Sequence, residues 1–175
     1  MLLKNLLFLL VLIGTPVMAQ ISVDDVKVET HEKIESQLHS VHPSLLYLYA
    51  ARLFQEDRKE EAVFWFYVGQ LRFRYLLVVN PDLPLDGAPA LMDALNENVG
   101  LYINEWVGKN PLLWVSLIDK ALEWDTSNIN VVTPKETHVK ELLQVRSGLV
   151  DLRNYIVNHA SEIREQRKAA GLPVD

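Results

Sequence analysis

Residues 60–81 read EEAVFWFYVGQLRFRYLLVVNP, and between Ala62 and Val79 nearly every side chain is apolar or aromatic. Aromatic residues such as Phe64-Trp65-Phe66-Tyr67 favour strands, but a run of this length predicts a helix. At about 100° per residue, Ala62, Trp65, Phe66, Gly69, Phe73, Leu76 and Leu77 gather on one side. Phe64, Tyr67, Val68, Leu71, Tyr75, Val78 and Val79 gather on the other, Gln70 and Arg74 share one seam, and Arg72 occupies the opposite seam. A helix that is apolar on two opposed faces needs cover on both, which places it in the middle of a bundle. Its length also suits a bilayer span. Three polar side chains inside it and the charged run Arg58 to Glu61 before it argue against that.

The preceding residues supply a partner. Ser44 is placed to cap a helix from Leu45 to about Gln55, with Leu46, Tyr49, Ala50, Leu53 and Phe54 as its inner stripe, and Glu56 to Lys59 form a polar turn. Helix, short charged turn, helix makes an αα-hairpin. Over residues 44–77 this pattern resembles one tetratricopeptide or Sel1-like repeat. Ala50 and Leu53 match the small and large positions of the first helix, and Ala62, Phe66 and Gly69 match the small, aromatic and small positions of the second. Lys59 stands where the family has an aromatic, and the closing proline is displaced to Pro81. The resemblance implies a scaffold for protein or peptide recognition. The wording AVFWFYVGQLRFRYL is also similar to a stretch of exported proteins of Gram-negative bacteria.

Outward from the hairpin, the periodicity continues in helical units. Val23, Val26, Thr30, Ile34, Leu38 and Val41 recur at spacings of three and four, and His42-Pro43 is expected to end that segment. Asn80 to Ala88, with Pro81, Pro84 and Gly87, is a surface loop. A helix follows from Pro89 to about Val107. Gly100 inside it costs about 1 kcal/mol relative to alanine, which points to close packing there. Asn110 as cap and Pro111 as first residue begin the next helix, expected to end near Trp124. Asp125 to Val132 is a polar loop with a possible extended piece at residues 129–132. Thr133-Pro134-Lys135-Glu136 has the spacing of a capping box. It predicts a long last helix from Pro134 to about Ala170, with a heptad-like seam of Leu142, Val145, Leu149, Leu152, Ile156 and Ile163, a bend at Gly148 and a projecting charged end. The fold expected is all-α: one domain, five or six helices around the Ala62–Val79 helix, with a repeat-like hairpin and a long C-terminal helix.

The first residues carry an address. Lys4 precedes an apolar core from Leu6 to Ile13, Gly14-Thr15-Pro16 breaks it, and Val17-Met18-Ala19 suits a signal peptidase, so residues 1–19 read as a signal peptide cut after Ala19. The expected location is periplasmic or secreted, with residues 20–175 as the mature domain and no membrane span left after cleavage. Cleavage leaves 156 residues with 16 basic and 23 acidic side chains, a net charge of −7. Such a chain lacks the clustered Lys and Arg that nucleic acid requires, and it suits a basic partner. With no cysteine there are no disulfides, and cysteine catalysis is excluded.

No nucleophile elbow, phosphate loop or His-Glu-x-x-His motif occurs. His39-x-x-His42 has metal-like spacing, but Pro43 breaks the helix and no third ligand accompanies the pair, so no metal or cofactor is expected. Asp24/Asp25 and Glu60/Glu61 lie in first turns, where they favour the helix dipole. The residues singled out for partner binding are Gln70, Arg72 and Arg74, which emerge from the seams of the most buried helix, and Trp124, at a helix end beside a loop, where an exposed indole makes a binding hot spot. The leading expectation is a non-enzymatic protein binding a protein or peptide partner in the periplasm, as an immunity protein or envelope adaptor does. The alternatives are a cell-wall hydrolase using a carboxylate, which needs two acids facing across a cleft, and a small-ligand or lipid carrier, which needs a cavity between helices.

Overall fold

A computed structural model describes residues 21–175; the expected signal peptide and its cut lie outside them. Among the described residues every regular element is a helix. Two short helices, α1 (Val23–Val28) and α2 (His31–Glu35), lead into α3 (Pro43–Gln55) and α4 (Lys59–Val79). Next, α5 (Ala88–Leu95), a π turn (Asn96–Gly100) and α6 (Leu101–Val107) run on as one rod, because the joining residues keep right-handed helical angles. The chain closes with α7 (Pro111–Ser127), α8 (Val139–Asn158) and α9 (Ala160–Ala169).

The two apolar faces of α4 are both covered. Helix α3 lies along it most closely, and α7, α8 and α6 cover the rest. Phe66, Val68, Phe73 and Ala62 are fully buried, and Tyr67 and Tyr75 nearly so. Burial ends at Tyr75: in the last turn Val78 is exposed and Leu76 and Leu77 are half-buried. Gly69 sets the α3–α4 distance, since a Cβ there would stand 3.0 Å from Leu46 Cβ and from the Tyr47 ring. Gly100 does the same for the π turn, where a Cβ would fall 2.8 Å from the Phe66 ring. That is the close packing expected of a glycine inside a helix. The α3–α4 turn closes through Asp57, a left-handed residue (φ 64°), with Arg58 N–H bonding Leu53 O and Asp57 N–H bonding Phe54 O, the pattern of a Schellman motif.

Several boundaries differ from expectation, each for a local reason. The Val23–Val41 segment splits because Ser22 and Thr30 each cap a separate short helix. Pro43 begins α3 rather than ending the element before it, and the cap is His42, whose Nδ1 accepts from Ser44 N–H at 3.3 Å. Thr133 does not cap α8. Its N–H goes to Asn130 Oδ1, Tyr75 O–H donates to Pro134 O at 3.0 Å, and Lys135 Nζ bonds the carbonyl of Asn128 at 2.7 Å. These ties hold residues 133–138 as turns against α7 and α4, so α8 starts at Val139. The break in the last helix falls at His159 (φ −113°, ψ 16°), not at Gly148. Helix α9 does not project: Ile163 packs on the core and Arg167 reaches Gly108.

Candidate functional site

The four residues proposed from sequence separate onto two flanks of α4. Arg72 and Trp124 meet on one flank, with the guanidinium 4.7 Å from the centre of the indole. Arg72 is 1% exposed. Its Nε donates to Asp125 Oδ1 at 3.1 Å, its Nη1 to His39 O at 3.2 Å and its Nη2 to Ile129 O at 2.8 Å. Arg146 Nη1 takes the other Asp125 oxygen at 2.9 Å. Burial pushes the Arg72 pKa down while the Asp125 charge and hydrogen bond oppose it. With its donors directed inward, Arg72 does not itself present a binding group. It fixes the inner face of Trp124 and ties α4 to the 128–129 loop.

Trp124 also lines an open groove of about 420 Å³ between α4 and α7. Trp65 meets Trp124 edge-on at 5.0 Å, and Phe64 meets Trp65 at 4.8 Å. Glu60 and Glu61 stand one turn before Phe64 and Trp65, and Glu35 comes from α2, so three carboxyl groups edge an aromatic floor. Lys120 on α7 stands at the opposite wall. Glu61 is paired with Arg58, and Glu35 accepts the Tyr49 hydroxyl at 2.6 Å. That hydroxyl's pKa is pushed up first by burial and then by the Glu35 hydrogen bond. Glu60 is exposed and makes no hydrogen bond or ion pair among the described residues. The i, i+4 spacing of Glu60 with Phe64 and of Glu61 with Trp65 was readable in the sequence; the contribution of Glu35 was not.

Gln70 and Arg74 lie on the other flank. Gln70 is half-buried and donates to Asn96 Oδ1 at 3.3 Å, alongside the Tyr47 hydroxyl at 3.0 Å. Arg74 is exposed. Burial raises the pKa of Tyr47 and Tyr67, and the nearby Arg74 charge partly offsets it in both. His42, the second member of the His39/His42 pair, packs edge-on to Phe73 at 5.3 Å, and burial lowers its pKa. Among the described residues no group of three or more His, Asp or Glu side chains is arranged to hold a metal ion.

No protein-family model matches the chain, and neither a curated protein nor a solved structure matches it.

Proposed function

We propose that this chain is a non-enzymatic binding protein of the bacterial periplasm that receives a basic protein or peptide segment in the groove at Trp124. The observation that carries this reading is the joining of a partly exposed, rigidly held indole to a rim of three carboxyl groups. A tryptophan in a groove is among the side chains enriched at the centre of binding energy. The part-exposed rings of Trp124 and Phe64 attract Lys and Arg side chains, and the carboxylates steer them. The groove is open to solvent, as a docking surface is. The tetratricopeptide-like hairpin supports the same class, and an excess of acid over base, 23 against 17, favours a basic partner.

Intrinsic tryptophan fluorescence tests it. Titration with an acetylated octapeptide of alternating lysine and alanine is expected to shift the emission and saturate. Trp124→Phe should remove most of the signal change, and Glu60→Gln should weaken binding about 1.5-fold to fivefold, the worth of one partly screened charge contact. Equal response to an oligoglutamate peptide, or no change in affinity in either variant, overturns the proposal.

A further inference from the structure

The second flank of α4 carries a separate construction. The rod α5–π–α6 places Asn96, Gly100 and Asn104 four residues apart along one line, and these three line a groove of about 530 Å³. Both amide groups are oriented from beneath. Trp114 Nε1 donates to the Tyr67 hydroxyl at 2.6 Å, so the single hydroxyl hydrogen goes to Asn104 Oδ1 at 2.8 Å. Asn96 Oδ1 accepts from Tyr47 and from Gln70. Each amide oxygen is therefore held, and each amide nitrogen, with two hydrogens to donate, makes no hydrogen bond among the described residues. Gly100 leaves no side chain between them, and the Asn104 nitrogen stands 3.9 Å from where its Cβ would be. The walls are Leu101, which is 69% exposed, and Leu172. Glu97 and Glu105 stand at the rim, exposed and with no ion pair among the described residues.

We infer that the Asn96–Gly100–Asn104 line is a second binding site, for an extended polypeptide strand carrying basic side chains, whose backbone carbonyls accept from the two side-chain amides. At an α-helical rise, eight residues set the two backbone positions about 12 Å apart along the rod, an upper value because the π turn is shorter. Carbonyls four residues apart on one edge of a strand are roughly 13 Å apart. The apolar walls take alternate side chains, and the rim acids take lysine or arginine. Beside this groove the chain's own last residues are tied down at the end of the rod. Arg167 Nε donates to Pro173 O at 3.0 Å, Asp175 N–H donates to Lys109 O at 3.0 Å, and Lys109 Nζ pairs with the Asp175 carboxylate at 3.1 Å. Four side chains, three of them aromatic, orient two amide groups here. A buried polar network of that kind stabilises little beyond an apolar core of the same shape, and its product is a pair of aimed donors.

The test uses the whole mature chain and a synthetic hexapeptide, acetyl-(Val-Lys)₃-amide, followed by the side-chain amide resonances of Asn96 and Asn104 in ¹H–¹⁵N spectra. Both amide pairs are expected to shift and saturate together. Asn104→Asp keeps an oxygen for Tyr67 and removes the donors while adding a negative charge. Loss of a donor predicts at least tenfold weaker binding of the cationic peptide, whereas attraction by charge alone predicts tighter binding, so the sign of the change decides. Asn96→Asp gives the same reading independently. Unchanged or tighter binding in both variants overturns the inference, as does a shift of these amides by neutral chito-oligosaccharide and not by the peptide. Glu60→Gln, in the other groove, should leave this titration unchanged.

Discussion

Removing the Asp125 carboxylate is expected to destabilise the chain more than any comparable polar truncation, because it strands a buried cation. Arg72 and Asp125 are each 1% exposed and joined by a 3.1 Å bond, with Arg146 on the second carboxylate oxygen. In Asp125→Ala the guanidinium keeps its carbonyl partners on His39, Asn128 and Ile129 but loses its counter-charge. Arg146, partly exposed, turns to water. Breaking a buried pair from one side costs about 3–5 kcal/mol. For a domain of this size that corresponds to a fall in Tm of about 6–20 °C. Urea unfolding followed by circular dichroism, with Tm measured in parallel, reads it. The double variant Arg72→Met with Asp125→Leu removes both charges. Of the three carbonyls, Asn128 O retains Lys135 and His39 O retains Val131 N–H, so Ile129 O alone loses its donor. The double variant should therefore be at least as stable as Asp125→Ala. A loss below about 1 kcal/mol in Asp125→Ala, outside the range for a buried pair, would refute the reasoning. So would a double variant whose loss equals the sum of the two single losses.

Further outcomes follow from other positions. Gly100→Ala gains about 1 kcal/mol of helix propensity but drives a Cβ to 2.8 Å from the Phe66 ring, so it should gain nothing and lose up to about 2 kcal/mol net in urea unfolding. Gly148→Ala, with nothing within 4 Å, should gain up to about 1 kcal/mol in the same assay. Asp57→Gly relieves a left-handed non-glycine residue (φ 64°) and should raise Tm, by an amount equivalent to about 1 kcal/mol. His42 has a folded pKa depressed below 6.5 by burial. The folded state therefore binds fewer protons than the unfolded one near pH 6, and the stability His42 contributes is present above 6.5 and lost as pH falls through the folded value. His42→Asn, which still caps α3, should lose less stability than the parent between pH 7.5 and 5.0, measured by denaturant midpoint.

What the chain determined by itself is local and periodic. The two-faced apolar run of α4, the hairpin with α3, the inner seam of α8 and the close approach at Gly100 all follow from side chains at spacings of three, four and seven, and a helix preserves those spacings in space. So does the placing of Glu60 and Glu61 one turn before Phe64 and Trp65. Tertiary structure decided what depends on groups far apart in sequence. The capping box at Thr133 does not form because Tyr75 and Lys135 hold that loop in turns, and no spacing within residues 133–136 reports either tie. Arg72 was identified as a seam residue, but its partner Asp125 lies 53 positions away. That pairing turned a candidate ligand-binding arginine into the support behind Trp124. Glu35 reaches the groove from α2, and Asn96 and Asn104 have their amides aimed by Tyr47 and Tyr67 of α3 and α4. A helical pattern records which face of each rod is apolar. Which polar groups then meet across the faces depends on the rods' relative positions, and those are set by the packing of all of them together.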